Sequence, residues 1–269
     1  MGDQLFGRRI RLLAALGLAA ATAAACGGNG VVPSPSTLFT NVDACGAVAG
    51  VVTGAPIVNG STCNGGSAAV ALLLLNDKDG KLYASCSGTV ISATAVLTAA
   101  HCLADTGSLT INFGSKEIQA ASFSYSPDYD SSRTDSIDVG VVIASSPLGQ
   151  PIMPILSSRD ATVGETAVIA GYGQAGLQSA GTTLHAGTVS VSKVGAVYLE
   201  TSASVSNSGA CPGDSGGPAL VSVNGGWTVA GITSTLAGPC VVGTNTFLSV
   251  RNATVRAFIL SKAPDAAQR

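Results

Sequence analysis

Charge is scarce in this chain. Only 10% of its 269 residues are Asp, Glu, Lys or Arg, and 13 basic against 15 acidic residues leave a net charge of −2. That balance offers no basic footprint for nucleic acid and no polybasic patch for an anionic membrane. Histidine is scarcer still: the chain holds two, His101 and His185. His185 has no His or Cys neighbour at ligand spacing, so no metal site is expected. Neither a phosphate-binding loop nor a nucleotide fingerprint occurs, so no cofactor is expected. There is also no internal repeat, no long run of charge, and no membrane-length apolar segment after residue 26.

What is present is apolar and small. Hydrophobic residues make up 46% of the chain, and there are 34 glycines. This is enough apolar material for a sizeable core, which excludes disorder over most of the length. Ala69 to Leu75 is a continuous apolar run closed by Asn76-Asp77-Lys78-Asp79-Gly80, and reads as a buried strand followed by a hairpin turn. Further strands are expected within 82–87, 89–92, 95–98, 109–113, 139–143, 166–171, 188–193, 197–202, 218–222, 227–232 and 246–250. Gly, Pro, Asn and Ser separate nearly all of them, a spacing that suggests a sandwich or a barrel. One helix is expected near the end. Asn252 can cap a segment with Val255, Phe258, Ile259 and Leu260 on one side, and Pro264 follows.

Residues 1–26 read as a targeting segment. Arg8, Arg9 and Arg11 precede an apolar stretch, Leu12 to Ala25, that is too short for a comfortable span. It ends in Ala23-Ala24-Ala25-Cys26, which resembles a bacterial lipoprotein lipobox with Cys26 as the lipidated residue. The alternative is an ordinary signal peptide cut after Ala25. Either way the protein is expected to be exported: as a lipoprotein in the cell envelope (outer membrane or surface), otherwise periplasmic or secreted. Contact with a membrane is expected only through that lipid. Residues 27–44 are rich in Gly, Pro and Ser and read as a loose spacer, and 27–56 together as a tether or propeptide. Setting Cys26 aside leaves Cys45, Cys63, Cys86, Cys102, Cys211 and Cys240, an even number in an oxidising compartment, so three disulfides are expected.

The chemistry centres on Gly209-Ala210-Cys211-Pro212-Gly213-Asp214-Ser215-Gly216-Gly217-Pro218, a glycine-rich turn with one serine. A serine hydroxyl needs a base to take its proton, and the base needs a group to orient it. His101 follows a predicted strand, in Thr98-Ala99-Ala100-His101-Cys102. Asp138 stands at the mouth of another, in Asp138-Val139-Gly140-Val141-Val142, where a carboxylate is costly unless it is paired. Asp128, Asp130 and Asp135 lie in a polar loop and read as solvated.

These three segments, in the order His, Asp, Ser, resemble the catalytic signatures of the trypsin/chymotrypsin-like serine peptidases. The resemblance extends over most of residues 57–262. Ile57-Val58-Asn59-Gly60 is similar to the family's mature N-terminus, Cys86 to Ser92 to the strand bridged to the catalytic histidine segment, and Ala170-Gly171-Tyr172-Gly173 to the turn into the second barrel. It implies an all-β fold of two six-stranded antiparallel Greek-key barrels with a C-terminal helix, occupying residues 57–269. It implies a serine endopeptidase acting on polypeptides as a monomer. Ser215 would be the nucleophile, His101 the base and Asp138 its orienter. The N–H groups of Gly213 and Ser215 would form the oxyanion hole, and Ser234, in Gly231-Ile232-Thr233-Ser234, would pair with the substrate backbone. Asp214 would pair with the amine freed at Ile57. The implied disulfides are Cys86–Cys102 and Cys211–Cys240, and Cys45 and Cys63 would flank the cleavage before Ile57.

The chain departs from the family pattern at three places. Ala55-Pro56 precedes Ile57 where activation normally follows a basic residue. In the implied specificity pocket Gly209 stands where trypsins carry Asp, with Leu236 on the wall and Asn245 near the back, so small or medium uncharged side chains are expected there. Thr235 stands where many members have Trp. Three other readings remain at this stage: a catalytically silent surface binding protein on the same fold, an unrelated β-sandwich adhesin, and an enzyme acting on an ester or a regulatory partner.

Overall fold

A tight turn shows how the local sequence sets the strand order. Asp77 Oδ1 accepts the N–H groups of Asp79 and Lys81, at 3.0 and 2.9 Å, and Gly80 adopts a φ of +79°. The apolar run before the turn therefore folds back on the segment after it. The computed structural model describes residues 42–48, 60–174, 181–203, 208–240 and 242–269. Residues 1–26, read above as a targeting segment ending in Cys26, and Ile57 lie outside these residues.

The described residues begin with a short helix, α1 (Val42–Ala47), and a short strand, β1 (Ser61–Cys63). Six strands follow: β2 (Val70–Asn76), β3 (Leu82–Val90), β4 (Ala95–Thr98), β5 (Ser108–Phe113), β6 (Lys116–Tyr125) and β7 (Gly140–Ala144). They close into an antiparallel barrel in the order β2-β3-β4-β7-β6-β5. The next six are β8 (Thr166–Gly171), β9 (Leu184–Val194), β10 (Tyr198–Ala203), β11 (Pro218–Val223), β12 (Gly226–Ala237) and β13 (Gly243–Ser249). They run β8-β9-β10-β13-β12-β11, with β11 pairing back to β8, and β1 adds to the side of β9. Both barrels thus use one strand order, although the sequence carries no visible repeat. Of the two architectures open from strand spacing alone, the barrel is the one formed.

Leu73, Leu75, Leu97, Ile111 and Phe113 on the strands of the first barrel, and Val168, Ile169, Leu220, Val229 and Phe247 on those of the second, are all essentially inaccessible. The final helix, α2 (Ala253–Lys262), is capped by Asn252, whose Oδ1 accepts the Thr254 and Val255 N–H groups at 3.0 and 3.2 Å. Val255 and Ile259 form its buried stripe, whereas Phe258 and Leu260 are half-buried.

Three elements differ from the expectations. Strand β6 was not anticipated because Lys116–Tyr125 mixes polar and apolar residues; β5 and β7 pair with it on both sides and hold it extended. The two segments expected around Gly88 are one strand, β3, because Gly88 lets it pass closely over β4: a Cβ there would fall 2.5 Å from Val96 Cγ1. Residues 42–48, inside the span read as a tether, are folded. Ala44, Cys45 and Val48 are fully buried, and the Val48 carbonyl accepts the Ala69 N–H at 3.1 Å.

Candidate active site

Thr98 and Gly140 are register partners on β4 and β7. His101, three residues beyond the first, and Asp138, two before the second, therefore emerge side by side. Gly140 permits the approach, since a Cβ there would meet Leu103 Cδ1 at 2.5 Å. After β4 the chain makes a 3-10 turn, Ala100–Cys102, and the Cys86–Cys102 disulfide fixes that turn to β3.

Asp138 is nearly buried and accepts three hydrogen bonds. The His101 backbone N–H donates to Oδ1 at 2.9 Å, and His101 Nδ1 lies 2.8 Å from Oδ2. Ser234 Oγ, on β12 of the other barrel, donates to the same Oδ2 at 2.6 Å. The pairing register of β12 with β13 shifts between Thr233 and Thr235, and such a bulge re-aims the residue within it. Burial pushes the Asp138 carboxyl up, but the His101 and Ser234 bonds outweigh it and the net shift is downward. An ionised carboxylate only accepts, so the proton of the imidazole sits on Nδ1 and Nε2 presents a lone pair. Ser136 shapes the same loop: its carbonyl accepts the Tyr198 hydroxyl and the Asp138 N–H. Burial, helped by Asp138 and Asp135, pushes the Tyr198 phenol up to about 12.

The turn that carries Ser215 is built from glycine conformations. Gly213 and Gly216 have φ of +98° and +80°. A Cβ on Gly216 would fall 2.1 Å from Thr98 Oγ1. The Asp214 N–H donates to the Cys211 carbonyl at 3.0 Å and the Gly216 N–H to the Thr233 carbonyl at 2.8 Å. The Gly213 and Ser215 N–H groups, which alternate with them, have no acceptor among the described residues. Ser215 is half-buried, and its carbonyl lies 3.8 Å from Cys102 Sγ, beside His101. No hydrogen bond joins Ser215 Oγ to the His101 ring.

Asp214 is wholly enclosed. Its Oδ1 accepts the Gly173 N–H and its Oδ2 the Cys211 N–H, both at 2.8 Å. Burial pushes its carboxyl up to about 6 against the pull of those two bonds. Gly171 and Gly173 form the cradle, because a Cβ on either would fall 2.3 to 2.5 Å from Asp214 atoms.

Around the expected specificity pocket, Gly209 packs against the Cys240 carbonyl, where a Cβ would fall at 2.4 Å. Leu236 faces Asn245 across β12 and β13, and Asn245 Nδ2 donates to Thr201 Oγ1 at 3.3 Å. The sulfur pairs are Cys86–Cys102 and Cys211–Cys240, as the resemblance implied, and Cys45–Cys63, which the sequence left open. Cys86, His101 and Cys102 form the only grouping of possible metal donors among the described residues, and its two sulfurs are joined to each other. A cavity of about 530 Å3 opens beside His101, bordered by Tyr129, Arg133, Tyr198, Glu200, Thr235 and Thr246.

Of the residues singled out from the sequence, the structure brings His101 and Asp138 into contact. Sequence reasoning read Ser234 only as a backbone contact and missed its hydroxyl bond to Asp138. It read Gly171 and Gly173 as a turn and missed the Asp214 cradle. The density of glycine on either side of Tyr172 was the available signal.

This chain is similar to known proteins in sequence and in fold. The chain is 26% identical over 216 residues to vitamin K-dependent protein C of Rattus norvegicus, a match covering 67% of this chain and 46% of that protein. It therefore spans about half the length of that relative. Among solved structures it resembles HL collagenase, with a TM-score of 0.64 and 19% identity over 81% of this chain and 98% of the other. It also resembles HBP, with a TM-score of 0.60 and the same identity and coverage. Trypsin is the family whose pattern matches, over residues 57–258, and this chain belongs to the trypsin-like serine protease family.

Proposed function

We propose that the protein is a serine endopeptidase working through Ser215, His101 and Asp138. The carrying observation is the Asp138 carboxylate, held by His101 and Ser234 so that His101 Nε2 is the ring's free base. Ser215 Oγ attacks the scissile carbonyl carbon while Nε2 takes its proton. The oxyanion forms against the open N–H groups of Gly213 and Ser215, each worth roughly 3–4 kcal/mol to the transition state. His101 then gives the proton to the leaving amine as the C–N bond breaks. Water repeats the sequence on the acyl-enzyme and releases the acid. In the resting protein the missing Ser215–His101 bond is compatible with this course, since such bonds tighten on substrate binding. A fluorophosphonate probe tests the reading: it labels the protein on Ser215, and Ser215→Ala abolishes both labelling and peptide hydrolysis. A folded, unlabelled wild-type protein overturns it in favour of a silent binding protein on the same fold.

The substrate is a polypeptide whose residue before the cut is small or medium and uncharged, as Gly209, Leu236 and Asn245 offer no countercharge. A cleavage profile dominated by Arg or Lys overturns this. Maturation is a cut between Pro56 and Ile57, after which the Ile57 amine enters the Asp214 cradle. N-terminal sequencing of active enzyme checks it, and an active form starting well away from Ile57 rules it out. The protein is exported, as its disulfides suit an oxidising compartment, and is held at a bacterial envelope by lipid on Cys26. Cys26→Ala then moves it from the membrane to the soluble fraction; an unchanged distribution refutes the anchor.

A further inference from the structure

Ser87 follows Cys86 on β3 and is completely buried. Every polar group it has is committed. Its N–H donates to the Ser215 carbonyl at 2.8 Å, and its Oγ donates to the Gly213 carbonyl at 2.9 Å. The same Oγ accepts the Tyr172 N–H at 2.9 Å, and its carbonyl accepts the Thr98 hydroxyl at 2.8 Å. Because a backbone N–H can only donate, the Ser87 hydroxyl proton must point at Gly213.

A peptide group is planar, so bonds at both its carbonyl and its N–H together fix the plane. Four consecutive planes make up the turn from Pro212 to Gly216. The Pro212 carbonyl accepts the Gln174 N–H at 2.9 Å, and the Asp214 carbonyl accepts the Gly217 N–H at 2.9 Å. These two planes carry the open N–H groups of Gly213 and Ser215. The two planes between and after them end in the Gly213 and Ser215 carbonyls, and both carbonyls are bonded to Ser87. Their N–H ends, on Asp214 and Gly216, are held by Cys211 and Thr233. One residue of the first barrel therefore clamps alternate planes of a turn in the second, leaving the intervening N–H groups outward. Ser87 is also adjacent to the Cys86–Cys102 bridge that fixes the His101 turn.

We infer that Ser87 is a positioning residue that sets the direction of the Gly213 and Ser215 N–H groups relative to His101. The inference rests on the peptidase reading. Loss of the Ser87 hydroxyl leaves the Gly213–Asp214 plane held only at the Asp214 N–H, so the plane can tilt about that bond and, through the flexible Gly213, turn the neighbouring N–H away. A group misdirected by about an ångström costs on the order of a hundredfold in rate.

The test uses Ser87→Ala and Ser87→Gly in the full-length protein, both of which keep the backbone bond to Ser215. The expected result is a fall in kcat of about 10- to 100-fold with KM within about twofold of wild type. Affinity for a peptide aldehyde, whose adduct places an oxygen in the same hole, falls in parallel with kcat. The acid limb of the pH profile, which reports the base, stays in place. Two folded variants with wild-type kcat, or losses confined to KM, overturn the inference. So does failure of both variants to fold, which makes Ser87 a packing residue. A wild-type protein that takes up no fluorophosphonate overturns the peptidase reading and the inference with it. A wild type that labels, with variants that label at the same rate, overturns the inference alone.

Discussion

Ser234 Oγ donates to Asp138 Oδ2 at 2.6 Å across 96 positions of sequence and from one barrel to the other. It shares that oxygen with His101 Nδ1, which lies at 2.8 Å. The bond stabilises the charged carboxylate against burial and ties the β12 bulge to the loop ahead of β7. Ser234→Ala removes one charge-assisted bond, worth about 1.5–3 kcal/mol, while both His101 bonds persist. The expected outcome is a roughly tenfold loss carried mainly by kcat, because the carboxylate that orients His101 loses one of its donors. Steady-state kinetics check this, and an unchanged kcat contradicts it.

Asp138→Asn should be far more damaging although it is nearly isosteric. If the amide NH2 faces His101, Nδ1 must accept and the proton moves to Nε2, which can then no longer act as base. If the amide is turned round, its NH2 confronts the His101 backbone N–H. On the Ser-His-Asp template the expected loss is about 10⁴-fold in kcat. Fluorophosphonate labelling slows in parallel, while the thermal midpoint changes little compared with Ser215→Ala. Labelling at the wild-type rate would show that His101 does not depend on Asp138.

Asp214 predicts a stability slope of unusual sign in the uncut chain. Its carboxyl titrates at about 6 in the fold against 3.8 for the free group, because burial outweighs the Cys211 and Gly173 bonds. Below about pH 4 both states hold the proton and no penalty exists. Between about pH 4 and pH 6 the unfolded chain releases it first, so this group removes stability as pH rises, by roughly 3 kcal/mol in all. His185, lowered by burial, acts the opposite way and costs stability as pH falls below about 6.5. Asp138 likewise withdraws its contribution only in acid. Comparing Ser215→Ala with Ser215→Ala/Asp214→Asn in urea from pH 4 to 7 isolates the Asp214 slope, which should vanish in the double variant. Identical slopes would rule out a strained Asp214. After cleavage before Ile57, an ammonium in the cradle should flatten the slope as well.

The residues proposed as reactive stood out because their chemistry is local: Ser215 in a glycine-rich turn, His101 at the end of an apolar strand, Asp138 at the mouth of another. Most strands were legible because short apolar runs alternate with turn residues, whereas their closure into two barrels was implied only by the family resemblance. What escaped were relationships made by closure. Strand β6 is extended because β5 and β7 flank it, and its own pattern of burial hardly alternates. Ser87 is one serine among many until β3 meets the Ser215 turn. Helix α1 lies in a segment whose flanking Gly and Pro read as spacer, and only its buried face against the second barrel distinguishes it.

That helix bears on what cleavage would release. Cys45 and Cys63 are bonded across 18 positions that include the proposed cut between Pro56 and Ile57. Four residues of the upstream segment, Ala44, Cys45, Ala47 and Val48, are buried with it. A six-residue helix has little stability of its own, so the sulfur bond should be the decisive link. After activation, non-reducing gels should show one species and reducing gels two. Cys45→Ser should lower the stability of the uncut chain by about 3 kcal/mol, the amount expected for a loop of this size. Once cut, the same variant should shed its upstream segment on gel filtration and leave the membrane fraction. Loss of that segment from the wild-type protein without reductant would overturn the tether. A Cys45→Ser domain that keeps the segment after cleavage would instead assign the hold to the buried face of α1, against the marginal stability argued for it.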